Sequence, residues 1–260
     1  MDKILYENNR YKTSEDSSTF FGKLLPSISF YSRFLAQIYT SANDAKKGIY
    51  DRDAWRLSSL RIMQALERTG LTITISGIEH IQKLNSPCVF VGNHVSMMDT
   101  VVLPAIIAQE VPLTFIIKQS LMDYPVFKHV MRSRNPIALG RTNAREDLKT
   151  VMVESKKRLA DGISITVFPQ TTRATGFDPK QFNSIGVKIA AKAGVPVVPI
   201  AIKTDAWTNG WIIKDLGRIR PKISTHFAFG APIPIEGKGK AEQQQVINFI
   251  SAKIKSWQAE

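Results

Sequence analysis

The chain has 260 residues, 43% of them hydrophobic, and its 35 Lys+Arg against 22 Asp+Glu give a formal net charge of +13. That much apolar material excludes a disordered chain, and the length suits one large α/β domain or such a domain with a small appendage. A surface this basic attracts anions: nucleic acid, anionic lipid headgroups or a phosphorylated substrate. The single cysteine, Cys88, excludes an intrachain disulfide and fits a reducing compartment; in its apolar run it reads as a small core residue rather than a nucleophile.

Residues 1–17 are polar, lack an apolar signal-peptide core and are expected to form a loose tail. No apolar run reaches the ~18 residues that a membrane-spanning helix needs. From Phe20 to Tyr39 apolar residues recur at steps of three and four, which predicts an amphipathic helix that Pro26 breaks in two. This stretch is aromatic, carries Lys23 and Arg33 and has no acidic residue, so it suits either a bilayer interface or a helix covering the core. A second helix is expected from an N-cap at Asp53 to Arg68, stopping at Gly70. Together these make residues 18–70 an N-terminal amphipathic helical subdomain with a membrane-docking role.

After Gly70 the period changes to two. Strands are expected at 71–75, 88–91, 113–117, 136–139, 164–168, 196–202 and 223–229, with helices near 98–109, 121–133, 144–160 and 182–193 and a closing helix over 241–257. Such alternation predicts an α/β fold over residues 71–260, a largely parallel sheet flanked by helices. No repeat interrupts it, and Gly237-Lys238-Gly239-Lys240 is a flexible basic loop without a nucleotide-binding signature.

The chemistry-bearing segment is Asn93-His94-Val95-Ser96-Met97-Met98-Asp99. On a continuous helix residues five apart point about 140° away from each other, so His94 and Asp99 meet only if a turn separates them. A strand ending at Gly92 and a helix starting near Ser96 supply that turn. The carboxylate then holds the imidazole tautomer and the pair can act as a general base. The plainer alternative is a loop histidine beside a helix-capping aspartate. His94, Arg141 and Arg173 each follow an expected strand, and parallel strands bring such residues to one sheet edge, where ligands bind in open α/β folds. His80, His94, His129 and His226 show no metal-ligand spacing, so no metal is expected.

Four blocks in order resemble the glycerolipid acyltransferase family, whose best-known members acylate 1-acylglycerol-3-phosphate to phosphatidic acid. The first is the NHxxxxD block at Asn93–Asp99. The second is Pro136-Ile137-Ala138-Leu139-Gly140-Arg141. The third is Phe168-Pro169-Gln170-Thr171-Thr172-Arg173, where the family has Phe-Pro-Glu-Gly-Thr-Arg. The fourth is Val195-Pro196-Val197-Val198-Pro199. The resemblance spans about Ile78 to Pro234. It implies a membrane-associated O-acyltransferase, peripheral or monotopic at the cytoplasmic side, moving a fatty acyl group from a coenzyme A or acyl carrier protein thioester to a lysophospholipid hydroxyl, with no cofactor. His94 and Asp99 would be the catalytic pair. Arg141, Arg173 and Lys118 would be cations for the acceptor phosphate, Gln170, Thr171 and Thr172 would line its loop, and Asn93 would bind substrate or orient the His94 loop. Gln170-Thr171 in place of Glu-Gly removes a charge and a residue that reaches positive φ cheaply, which leaves open a relative with a different lipid acceptor. The alternative from another class is a basic nucleic-acid- or lipid-binding protein. No nucleic-acid fold signature supports it, so no nucleic acid is expected as a partner.

Overall fold

A computed structural model describes residues 2–124, 127–140, 142–170, 172–211 and 213–259. Eight strands form one sheet: β1 (Arg10–Lys12), β2 (Ile73–Ser76), β3 (Val89–Gly92), β4 (Leu113–Lys118), β5 (Ile137–Leu139), β6 (Ser164–Val167), β7 (Val197–Lys203) and β8 (Thr225–Phe229), in the order β1-β2-β8-β7-β3-β6-β4-β5. The five strands β7-β3-β6-β4-β5 are mutually parallel, so their C-terminal ends share one edge. β8 returns antiparallel to β7, and β2 pairs parallel to β8. The reversal follows from the connection: among the described residues of 204–224, which join β7 to β8, there is no crossover helix of the kind that a parallel neighbour requires.

Alternation along the strands divides the core. Phe90, Val198, Ile200 and Ile202 face one layer of helices, α2 (Pro26–Lys46), α3 (Arg52–Glu67) and α5 (Met97–Ile107). Val89, Val91, Val197 and Ala201 face the other, α7 (Ala144–Ala160), α8 (Ile185–Ala193) and α9 (Lys240–Gln258). α8 lies close on the sheet because residue 186 is glycine; a Cβ there would stand 2.5 Å from Val91 Cγ2. Short helices α1 (Phe20–Leu24), α4 (Glu79–Gln82) and α6 (Phe127–Ser133) complete the set. Where one helix is expected over 121–133, a 3-10 turn at Gln119–Met122 precedes α6. Cys88 is fully buried, and burial pushes its thiol up to about 12, which removes it as a thiolate at neutral pH.

The N-terminal region differs from its sequence reading in three ways. Residues 2–17 are not a loose tail: β1 adds antiparallel to β2, Ile4 is buried, and the Tyr11 and Thr13 hydroxyls donate to Glu67 Oε1 at 2.5 and 2.8 Å. A few apolar and hydroxyl groups fix this segment although its composition is polar. Second, the helices of residues 18–70 are one layer of the main fold rather than a subdomain. Phe30 and Phe34, 0% and 1% exposed, share a core with Ile73, Ile75 and Phe227, because their apolar face has the sheet to cover. Third, α3 is capped by Asp51, whose carboxylate accepts the Ala54 N–H at 2.8 Å; Asp53 lies inside the first turn and pairs with Arg56. Pro26 does divide the first helix, ending α1 and opening α2.

Candidate active site

β3 ends at Gly92, and α5 begins after an N-cap at Ser96. In the turn between them the His94 ring swings back to Asp99, the third residue of α5. His94 Nδ1 lies 2.8 Å from Asp99 Oδ2. Asp99 is fully buried and surrounded by donors. Its Oδ2 also accepts the Val95 and Ser96 N–H groups at 2.6 and 3.1 Å, and its Oδ1 accepts the Thr204 hydroxyl. Thr204 in turn accepts from Ser96 Oγ at 3.0 Å, and Ser96 Oγ accepts the Met98 N–H. One carboxylate therefore caps the helix, closes the turn and accepts the hydrogen bond of Nδ1–H, which leaves Nε2 as the ring's acceptor. The helix-capping alternative and the tautomer-holding role are two functions of the same side chain.

The Asn93 side chain is engaged by the sheet. It is buried, its Nδ2 donates to Ile202 O at 2.8 Å, and its Oδ1 accepts the Ile202 N–H at 2.9 Å. The amide thus continues the β3–β7 ladder one step beyond Gly92 and sets the direction in which His94 leaves the sheet. Beneath the imidazole the Phe168 ring stacks with centroids 4.5 Å apart and planes 10° from parallel. Phe168 follows β6, so two adjacent parallel strands hold the ring from two sides.

Gln170 is buried, and its Oε1 accepts the His94 backbone N–H at 2.5 Å. This bond braces the His94 turn, and Ala174 N–H donating to His94 O at 3.0 Å ties the loops a second time. Gln170→Ala is expected to strand a buried N–H, lowering stability by about 1–3 kcal/mol and kcat with it, whereas Gln170→Glu keeps the acceptor and is tolerated. Thermal melts and steady-state kinetics check this. A Gln170→Ala protein with wild-type stability and only a raised KM would mean that the side chain reads substrate instead.

The guanidinium of Arg173 reaches the imidazole. Its Nε lies 3.4 Å from His94 Nε2, its Nη2 3.7 Å from Met97 Sδ and its Nη1 2.5 Å from Asp215 Oδ1. Thr172 is exposed and accepts from Lys214 Nζ at 3.1 Å. Lys118 is exposed at the end of β4, in register with Leu139, at the same sheet edge. Arg141 and Thr171 lie outside the described residues. An open cavity of about 480 Å³ adjoins the site, lined by Gln170, Arg173, Phe177 and Asn209 among others. A larger cleft of about 900 Å³, between the β1 segment and α3, includes none of these residues.

The acyltransferase family model matches residues 72–203, from the strand β2 through β7, and so includes both blocks that meet at His94. The chain belongs to the acyltransferase family. A 1-acyl-sn-glycerol-3-phosphate acyltransferase of Pseudomonas aeruginosa is 27% identical over 192 residues, covering 74% of this chain and 69% of that protein. One from Borreliella burgdorferi is 29% identical over 147 residues, covering 56% of each, so this acyltransferase chain spans just over half of that relative. The crystal structure of the acyltransferase PlsC from Thermotoga maritima superposes with a TM-score of 0.64 at 20% identity, over 92% of this chain and 98% of that one, and shares its fold.

Sequence reading missed Thr204, Phe168 as the ring's support, and the Lys214-Asp215 pair. Thr204 carried a faint signal as a polar residue, after Lys203, just beyond an apolar strand run. Asp215 carried none, since it lies on a connection between strands.

Proposed function

We propose that this acyltransferase moves a fatty acyl group from a coenzyme A or acyl carrier protein thioester to the hydroxyl of 1-acylglycerol-3-phosphate, giving phosphatidic acid at a membrane surface. The observation that carries the reading is the His94 Nδ1–Asp99 Oδ2 contact of 2.8 Å, with a buried carboxylate and Nε2 turned toward Arg173. The acceptor hydroxyl oxygen attacks the thioester carbonyl carbon while its proton passes to His94 Nε2. Asp99 stabilises the imidazolium, and the departing thiolate takes the proton back. The acceptor is itself the nucleophile, so no covalent acyl-enzyme forms. The 3.4 Å contact from Arg173 is at the outer limit of a hydrogen bond, and the substrate hydroxyl displaces it at small cost. Arg173 offers a fork to the acceptor phosphate, with Lys118 at the end of β4 and Arg141, from the Pro136–Arg141 sequence block, as further cations. The names carried by the relatives support this acceptor. The use of Gln170 as a brace supports it too, since the Glu-to-Gln change then leaves the headgroup contacts in place. An acyl-transfer assay against a panel of lysophospholipids with both donor types tests the proposal. Preference for an acceptor without a phosphate monoester would overturn it.

The membrane part of the proposal rests on a second apolar face. Phe20, Leu24, Ile28 and Tyr39 are 85%, 63%, 60% and 66% exposed on α1 and α2, beside Lys23 and Arg33. No helix among the described residues is long and apolar enough to cross a membrane, so these helices would lie in the interface of the cytoplasmic leaflet. Phe20→Ser, Phe21→Ser and Leu24→Ser together should weaken binding to anionic vesicles while leaving the melting temperature unchanged, and salt should release the wild type. Cosedimentation measures both. Equal binding to neutral vesicles, or no loss in the triple variant, would refute the docking. Deleting the whole segment is no test, because Phe30 and Phe34 would leave the core with it.

A further inference from the structure

The connection from β7 to β8 rises at the catalytic edge and folds back on itself. Trp207 and Ile219 pair across its base, and the Thr208 N–H donates to Arg218 O at 3.0 Å. A Cβ on Gly217 would stand 1.7 Å from the Thr208 carbonyl oxygen, so the limbs approach this closely only with glycine there. α2 pins the base: Tyr31 Oη donates to Gly217 O at 2.6 Å, and the Ile219 N–H donates to Ser27 Oγ at 3.0 Å. Inside the loop, the buried Trp207 donates its indole N–H to Asp215 O at 3.2 Å. Asp215 is thereby held at a fixed place, with Oδ1 2.5 Å from Arg173 Nη1 and its side chain 26% exposed.

Among the described residues, each nitrogen of the Arg173 guanidinium has one partner: a ring nitrogen, a thioether and a carboxylate. Only the carboxylate is an anion. We propose that Asp215 holds the headgroup site in check: it is a built-in carboxylate on the guanidinium edge that the acceptor phosphate needs, and an arriving phosphate must displace it. The proposal rests on the reading of Arg173 as a phosphate contact. A tethered carboxylate competes as if present at about millimolar concentration. A phosphate monoester brings a charge of about −1.5 to −2 at neutral pH against the single charge of the carboxylate. The phosphodiester of a zwitterionic lysophospholipid has no such advantage, and its cation faces Arg173 and Lys214 unfavourably. Lys214, neighbour of Asp215 and bonded to Thr172, places a further cation beside the arriving dianion.

Two measurements test this, both on the full chain. The first is calorimetric binding of inorganic phosphate and glycerol 3-phosphate to the wild type, to Asp215→Asn, and to Asp215→Asn combined with Arg173→Ala. Asn keeps the shape and removes the charge, so the single variant should bind both ligands roughly 3–10-fold more tightly, and the double variant should lose the gain. The second is acyl-transfer kinetics. In Asp215→Asn the KM for 1-acylglycerol-3-phosphate should fall with kcat within about twofold, and the preference for it over a zwitterionic lysophospholipid should not shrink, because a tethered competitor weakens every ligand of Arg173 by the same factor. Unchanged phosphate affinity in a folded Asp215→Asn protein would overturn the proposal, as would a fall in kcat at unchanged KM, which marks a residue that merely orients Arg173. Tighter phosphate binding without turnover of any phosphorylated acceptor would support the role of Asp215 and overturn the acceptor assignment, so the two readings fail separately.

Discussion

His94→Ala is expected to lower kcat by about 10²–10⁴-fold, the usual loss when a general base is removed. The fold should survive it. The ring is 17% exposed and rests on Phe168 through one face, and the backbone bonds of residue 94 to Gln170 and Ala174 do not involve the side chain. Asp99 keeps three donors, from Val95, Ser96 and Thr204. Circular dichroism melts beside acyl-transfer assays separate the two effects. Near-wild-type turnover by a folded variant would end the general-base mechanism.

Asp99→Asn should cost both activity and stability, which distinguishes it from His94→Ala. All four groups around the carboxylate are donors: the His94 ring, two backbone N–H groups and the Thr204 hydroxyl. An amide brings two donors of its own, so whichever way it turns, an N–H meets a donor in a site with no water-facing surface. Turning it toward Thr204 is the least costly choice, but the Ser96–Thr204 hydroxyl chain must then reverse. The expected losses are about 1–3 kcal/mol of stability and at least about 10²-fold in kcat, because the imidazolium loses its counter-charge. A variant with an unchanged melting temperature would show that the carboxylate is not the hub of the turn.

The strands were legible because seven of them combine period-two or continuous apolar runs with clear breakers, and the parallel edge followed from their alternation with helices. The meeting of His94 and Asp99 was legible as well: a five-residue spacing across a strand end and a helix start has few ways to fold. β1 was not, since three residues in a polar segment carry no period, and its pairing depends on β2 some sixty residues later. The roles of Asn93 and Gln170 were not, because carboxamides bond equally well to a ligand or a backbone, and only the position of Ile202 or of the His94 N–H decides between them. Thr204 and Asp215 approach the site from the far end of the chain, and no local pattern encodes such a contact.

The bonds from Tyr31 and Ser27 to the Gly217–Ile219 limb have a kinetic consequence. They join the helix with the outward apolar face to the loop over Arg173, whose tip carries Trp211 at 98% exposure. If the proposed docking holds, an enzyme anchored this way would meet its acceptor by lateral diffusion within the leaflet. Its effective substrate concentration is then the mole fraction of lysolipid at the surface, so diluting the vesicles in water should leave the rate per bound enzyme unchanged, while diluting the lysolipid with inert phospholipid should lower it. Under that docking, product released into the same leaflet would leave the enzyme beside its next acceptor, and turnover would repeat many times within a single visit to the membrane.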